Sequence, residues 1–171
     1  MAVVTTKSSA ITNADASPRV PTNPHVSRGR VVEAQGFVEA VSGDSIGSIY
    51  RLVRVKSCDR VSRVLLSCDA ITTCAGDVGV YQTADNGGAA VDVDFFASAQ
   101  SLAAALANSD VTHEADAADA GAGYGLADVE KQLWQALGLT ADPCRDYDVA
   151  VTLTAAAGSA GTVGLKVQVV C

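Results

Sequence analysis

Residues 147–169, YDVAVTLTAAAGSAGTVGLKVQV, contain two runs of strict alternation. In the first, Tyr147, Val149, Val151 and Leu153 alternate with Asp148, Ala150, Thr152 and Thr154. In the second, Val163, Leu165, Val167 and Val169 alternate with Gly164, Lys166 and Gln168. Successive side chains of a strand point to opposite faces, so each run describes a strand with one apolar face and one wetter face. The intervening AAAGSAG reads as a small-residue loop joining two half-buried antiparallel strands.

The same signal recurs upstream. In VVEAQGFVEAV (31–41), Val32, Ala34, Val38 and Ala40 alternate with Glu33, Gln35 and Glu39, and SGD at 42–44 makes a turn. SIYRLVRV (48–55) and RVSRVLLSCDAI (60–71) are separated by the polar KSCD at 56–59, the spacing of a hairpin. GDVGVYQT is a further short strand, closed by DNGG at 85–88, where Asn-Gly suits the positive φ of a tight hairpin. VDVDFFAS follows, with Val91, Val93 and Phe95 alternating against Asp92 and Asp94. Two segments carry helical signals instead. SAQSLAAALAN begins at the capping residue Ser98 and stops near Asn108. ADVEKQLWQALG can be capped by Asp128, with Val129, Leu133, Ala136 and Leu137 as its apolar stripe, Trp134 beside it in a core or lid role, and Gly138 as its stop.

Residues 1–30 read as an extended arm, and 31–171 as the folded body. Pro18, Pro21 and Pro24 fall within seven residues, and Lys7, Arg19, Arg28 and Arg30 face only Asp15. Proline fixes φ and removes an amide donor, so neither helix nor central strand is expected in this arm. On a partner it would lie down as an extended strap. The body is Val-, Ala- and Gly-rich and poor in large aromatics, a composition that favours pleated, tightly packed sheets. The expected architecture is mainly β: an antiparallel β-sandwich of jelly-roll type with two short helices, an incomplete barrel being the alternative.

Charge and cysteine usage narrow the function. The formal net charge of −7 lacks the basic face that a nucleic-acid partner requires. It is unevenly spread: residues 1–66 hold nine Lys/Arg against five acids, and residues 67–171 three against fourteen. Such asymmetry orients like subunits against each other, or the acidic part simply keeps the chain soluble. Cys58, Cys68, Cys74, Cys144 and Cys171 include no C-x-x-C pair and leave an odd one over, which fits thiols used as small core residues in a reducing cytoplasm. The first residues have no apolar h-region of a secretory signal, and no apolar stretch is long enough to span a bilayer.

Catalytic chemistry finds no constellation. His25 sits in the proline-rich arm, and His113, in DVTHEAD, is expected to face solvent. Cys58, Cys68 and Cys74 have no histidine near them and not the tight spacing of a zinc site. GAGYG (121–125) follows the acidic HEADAADAGAG, which would repel phosphate, and reads as a mobile loop. Neither VDVDFF nor HEADAAD matches an EF-hand loop. The expectation is a non-enzymatic protein with no cofactor and no metal.

Three phrases carry a resemblance. SIGSIYRLVRV (45–55), VLLSCDAITTCAGDVGVYQTADNGGAAVDVDFFASAQSLA (64–103) and EKQLWQALGLTADPCRDYDVAVTLTAA (130–156) resemble small virion-structural, head-associated proteins of tailed bacteriophages. The resemblance carries no catalytic motif. It implies a capsid cement or decoration protein on the outer surface of the head, with the major capsid protein and further copies of itself (a homodimer or homotrimer) as partners, and no nucleic acid or membrane. It also implies folding in the host cytoplasm before assembly into the virion. Lys7, Arg19, Arg28 and Arg30 are the capsid-contact candidates, chosen from the arm's composition alone. The alternative is a fiber, spike or tail-associated module that binds a host glycan or protein.

Overall fold

A computed structural model describes residues 4–24, 26–115 and 123–171; His25 and the part of the acidic stretch from 116 to 122 lie outside them. Eight strands build the body: β1 (Val31–Ala40), β2 (Ile49–Lys56), β3 (Arg60–Cys68), β4 (Ala75–Gln82), β5 (Ala90–Ser101), β6 (Leu106–Asp110), β7 (Asp146–Ala155) and β8 (Gly161–Val170). Pairing runs from the ends of the chain inward: β1 with β8, β2 with β7, β3 with β6 and β4 with β5, all antiparallel. The chain is therefore one long double-stranded ribbon. Rolling the ribbon up adds the lateral pairs β3–β8 and β4–β7. Two four-stranded sheets result, β1-β8-β3-β6 and β2-β7-β4-β5, the arrangement of a jelly roll.

The rolling has a simple cause. Each half of the ribbon has one apolar face, and only a second sheet can cover it. Val64 and Leu66 of β3 and Val163, Leu165 and Val167 of β8 are buried from one side. Val78 and Val80 of β4 and Val149, Val151 and Leu153 of β7 are buried from the other, and all join a single core cluster with Phe95 and Phe96. This corrects the pairing expected from sequence neighbours. The segments before and after 56–59 do not form a hairpin, and neither do the two strands around AAAGSAG: β2 and β3, like β7 and β8, belong to opposite sheets. Pairing them side by side would have left both apolar faces on the same open surface. The hairpin expected at DNGG is present between β4 and β5. There Gly87 and Gly88 take the positive φ, while Asn86 closes a 3₁₀ turn, Ala84–Asn86.

The helical expectations need larger correction. Residues 98–108 are not a helix; they finish β5 and begin β6. Ala-rich composition gives helix propensity, but a stretch of this length needs tertiary support, and the adjacent strands β4 and β3 supply its backbone partners instead. Ala99, at φ 50°, bends the strand there. The second expected helix is broken into a 3₁₀ turn, Leu126–Asp128, and a single turn α2, Leu133–Ala136. The amides of Leu133 and Trp134 donate to the carbonyls of Asp59 (2.8 Å) and Ser57 (3.1 Å), so the β2–β3 connection takes the bonds a continuous helix would have used. Leu133 is fully buried, Val129 is exposed, and Gly138 ends the segment at φ 72°. In the arm, residues 9–15 form a helix, α1 (Ser9–Asp15), which the extended reading did not foresee; it lies ahead of the prolines and is capped by the Ser8 hydroxyl.

The free thiols divide: Cys68 and Cys74 are buried core residues as expected, Cys58 is half-buried, and Cys144 and Cys171 are exposed. The outer face of the second sheet is tied down by charge. Asp148, buried on β7, accepts from Arg54 Nε (2.8 Å) and Arg51 Nη1 (3.1 Å). Arg51 also donates to the carbonyls of Gln82 and Gly88, locking the β4–β5 turn, and stacks over Tyr81. Burial alone would raise the Asp148 pKa, but the hydrogen bonds and charges of Arg54 and Arg51 outweigh it and hold the carboxyl below the usual carboxylate range.

Two consequences are measurable. A carboxyl whose folded pKa is depressed stabilises the fold above its ordinary value near pH 4, and that contribution is lost as pH falls through the lower folded value. Urea unfolding should therefore show a steep loss of stability below about pH 4 that Asp148→Asn flattens. At pH 7 the same substitution should cost about 1–3 kcal/mol. The sheets also meet at their β1 and β2 edges, where a Cβ on Gly36 would stand 2.1 Å from the Leu52 carbonyl oxygen. Gly36→Ala should lower stability by about 1–3 kcal/mol in thermal melts, by forcing the two edges apart.

Candidate partner interface

The jelly roll has two unlike ends. The connections 41–48, 69–74, 102–105 and 156–160 gather at one end and bond to each other, as in Gly43 N to Ala157 O (2.8 Å), Ile71 N to Leu102 O (2.9 Å) and Gly158 N to Thr72 O (2.8 Å). These four connections hold two acids, Asp44 and Asp69, and no Lys or Arg. Both acids are engaged. Asp44 accepts from the Tyr50 hydroxyl (2.6 Å) and the Val41 amide (3.0 Å), and these bonds lower its pKa. Asp69 accepts from the Thr162 amide (3.0 Å). Val41 and Ile46 stand exposed there beside alanines and threonines. This end is sparsely charged, with two hydrogen-bonded carboxylates and no base.

The other end carries the charge, with the connections 57–59 and 83–89, the described residues of the β6–β7 connection, the start of β1 and the end of β8. The arm settles there. Ser9 Oγ donates to the Glu130 carboxylate (3.1 Å), and the Arg30 carbonyl accepts from the Cys171 amide (3.0 Å). The four basic candidates are not gathered into one patch. Lys7 pairs with Asp15 (2.8 Å) across α1. Arg19 donates to the Ala14 carbonyl (3.2 Å) and, with Arg28, lines a small cleft against Ala10, Ala14 and Val20. Arg30 is exposed where the arm passes into β1. Of the four, Arg19 and Arg28 come together at that cleft, while Lys7 is tied to Asp15.

Residues considered for chemistry have structural partners. His113 is half-buried rather than solvent-facing: its ring stacks on Tyr124 at 5.3 Å and Nδ1 lies 2.9 Å from the Tyr124 carbonyl oxygen. Tyr124 itself, read as part of a mobile glycine loop, is a core anchor. Its hydroxyl donates to the Val61 carbonyl (2.8 Å), its ring packs on Phe95 and Phe96, and burial pushes its phenol up to about 12. The one signal available in the sequence was a large ring standing among glycines. Asp77 and Glu114 accept from the amides of Ala99 and Ser98 (2.7 Å each), pinning the bend in β5. Burial raises the Asp77 pKa, and the nearby carboxylates of Asp94 and Glu114 add to it. Cys58 lies at the charged end, while Cys68 and Cys74 flank a connection at the opposite end, so the three do not meet. Among the described residues no group of three or more His, Cys, Asp or Glu side chains is placed to hold a metal ion, and no helix is long and apolar enough to cross a membrane.

No family model matches the chain, and no curated protein matches its sequence. Among solved structures, a chain of the cyanophage Pam1 capsid asymmetric unit superimposes with a TM-score of 0.54 at 18% identity, over 92% of this chain and 94% of that one. At that identity the likeness is one of fold, and it extends over nearly the whole of both chains.

Proposed function

We propose that this protein is a structural component of a tailed-phage virion, a cement or decoration protein on the outer surface of the head. One observation carries the reading: the fold aligns over 92% of this chain with nearly all of a chain in a phage capsid asymmetric unit. Two features of the molecule favour it further. The sandwich is closed by an apolar core and by the Arg51–Asp148–Arg54 cluster, which suits a clamp that must resist deformation. The arm, residues 1–30, carries Lys7, Arg19, Arg28 and Arg30 against the single acid Asp15.

In this reading the body seats on the major capsid protein and the arm reaches a neighbouring subunit. Copies joined as a dimer or trimer bind a repeated lattice by effective concentration, so modest individual contacts add up to firm attachment. The acidic body, with fourteen acids against three bases over residues 67–171, keeps free copies apart until the lattice aligns them.

Quantitative mass spectrometry of purified virions tests the location. A fixed ratio to the major capsid protein over the whole shell is expected; a count set by tail or fiber symmetry would move the protein to a host-binding role. The arm is tested separately by removing residues 1–28, which spares the Arg30–Cys171 bond. Binding to heads should weaken by about tenfold or more, with the melting temperature of the body unchanged. Full occupancy by the truncated chain would refute the arm's role.

A further inference from the structure

Cys58, Cys144 and Cys171 all lie at the charged end, and the strand register brings two of them together. The β3–β8 ladder ends on the pair Arg60–Val170, so the next residues along it, Asp59 and Cys171, stand beside each other. The Cys171 thiol donates to Asp59 Oδ1 (3.5 Å), and the Cys171 amide donates to the Arg30 carbonyl on its other side (3.0 Å). Asp59 in turn closes the tight turn from Lys56. Its amide donates to the Lys56 carbonyl (3.1 Å), and its Oδ2 accepts from the Lys56 amide (3.0 Å). Cys58 sits in that turn, one residue from Asp59, with its carbonyl held by Gln132 Nε2 (2.8 Å). Cys58 and Cys171 are therefore neighbours in space, although residues 59–170 separate them in sequence.

The spacing suits a covalent link. Facing Cα atoms of an antiparallel pair are about 4.5–5.5 Å apart, and consecutive Cα atoms along a chain about 3.8 Å. One step across and one along, taken at right angles, puts Cys58 and Cys171 about 6–6.7 Å apart, inside the range of about 4.4–6.8 Å that a disulfide spans. The thiols also act on each other. Burial and the Asp59 carboxylate push the Cys171 thiol up, and Cys58 adds to it. Burial pushes the Cys58 thiol up as well, with Asp59 and Asp142 adding to it and Lys56 opposing. Access separates this pair from the other thiols of the chain. Cys58 is half-buried and Cys171 exposed, so a dissolved oxidant reaches them, whereas Cys68 and Cys74 are buried at the opposite end.

We propose that Cys58 and Cys171 form a disulfide latch, open in the reduced chain and closed by a small-molecule disulfide such as oxidised glutathione. The Cys171 thiolate, the more exposed, attacks one sulfur of the oxidant and expels a small thiolate. A mixed disulfide is left on Cys171. The Cys58 thiolate then attacks the Cys171 sulfur, and the second small thiolate leaves. Two protein thiols are oxidised, one small disulfide is reduced to two thiols, and the two protons of the protein pass to the departing thiolates. The closed latch ties the end of β8, in one sheet, to the β2–β3 turn, which carries the chain from the other sheet. It closes a loop over residues 59–170, most of the body, and so restricts the unfolded chain strongly. A head protein folds in a reducing cytoplasm and works outside it, so the latch closes on release. That timing rests on the function proposed above; the bond itself does not.

The test incubates the full-length protein with oxidised glutathione, caps the remaining thiols by alkylation and maps linked peptides by mass spectrometry without reduction. One internal link, Cys58 to Cys171, is expected. The melting temperature should rise by about 5–15 °C and fall back when a reductant is added. Cys58→Ser and Cys171→Ser should each abolish the rise while melting like the parent in its reduced form, and Cys144→Ser should keep it. If Cys58→Ser fails to fold, the variant at the exposed Cys171 carries the comparison. A link through Cys144, glutathione adducts without an internal link, or a Cys58–Cys171 bond that leaves the melt unchanged overturns the inference. All of these measurements use the isolated protein, so none depends on the virion count, which judges head location by itself. Alkylation of infected cells and of released particles reads the timing: free thiols in the first and the link in the second are expected, and a link already present inside cells overturns closure on release.

Discussion

Val64, Leu66, Leu165 and Val167 from one sheet, and Val78, Val149, Val151 and Leu153 from the other, share a single buried core. Apolar burial at about 25 cal/mol per Å² is the dominant favourable contribution to folding, and these mid-sized side chains let the two sheets approach closely. Everything else in the molecule depends on that closure. The ribbon must roll for the two faces to meet. Within that ribbon β1 pairs with β8, which brings the start and the end of the body to the same place. The arm therefore leaves from the charged end, and the four small-residue connections collect at the other.

Outside the core, polar groups fix what apolar burial leaves loose. Asp148 sits on the face of β7 that points away from the core, yet it is buried by the two arginines that grip it. Those arginines come from β2, the neighbouring strand, and Arg51 continues to the β4–β5 turn. Tyr124 plays the same part for the long β6–β7 connection, holding it to Val61 by one buried hydrogen bond. Rigidity of this kind suits a protein whose proposed task is to hold others in place.

The strands were legible because their residues repeat with period two, and the period survives any rearrangement of partners. The breaks and bends were not. The Ala-rich run at 98–108 has local helix propensity, but propensity over so few residues is weaker than two strand edges offering hydrogen bonds. ADVEKQLWQALG keeps its apolar Leu133 and its Gly138 stop, yet the Ser57 and Asp59 carbonyls divide it. In the arm the prolines concealed α1, because the helix lies wholly ahead of them. The basic candidates were read from composition, and the structure brings only Arg19 and Arg28 to one cleft while Lys7 pairs with Asp15. Phe37, exposed on β1, could not be singled out, since an apolar residue in a strand is ordinarily taken as core.

The sequence by itself determined that this chain forms half-buried antiparallel strands, with a charged, proline-bearing arm ahead of them, because alternation and proline act on nearest neighbours. Only the tertiary structure decided which strand pairs with which, that neighbouring strands such as β7 and β8 part into opposite sheets, and that Phe37 faces water over Gly164. Those outcomes turn on burying two sheet faces at once, a condition that no local stretch of residues contains.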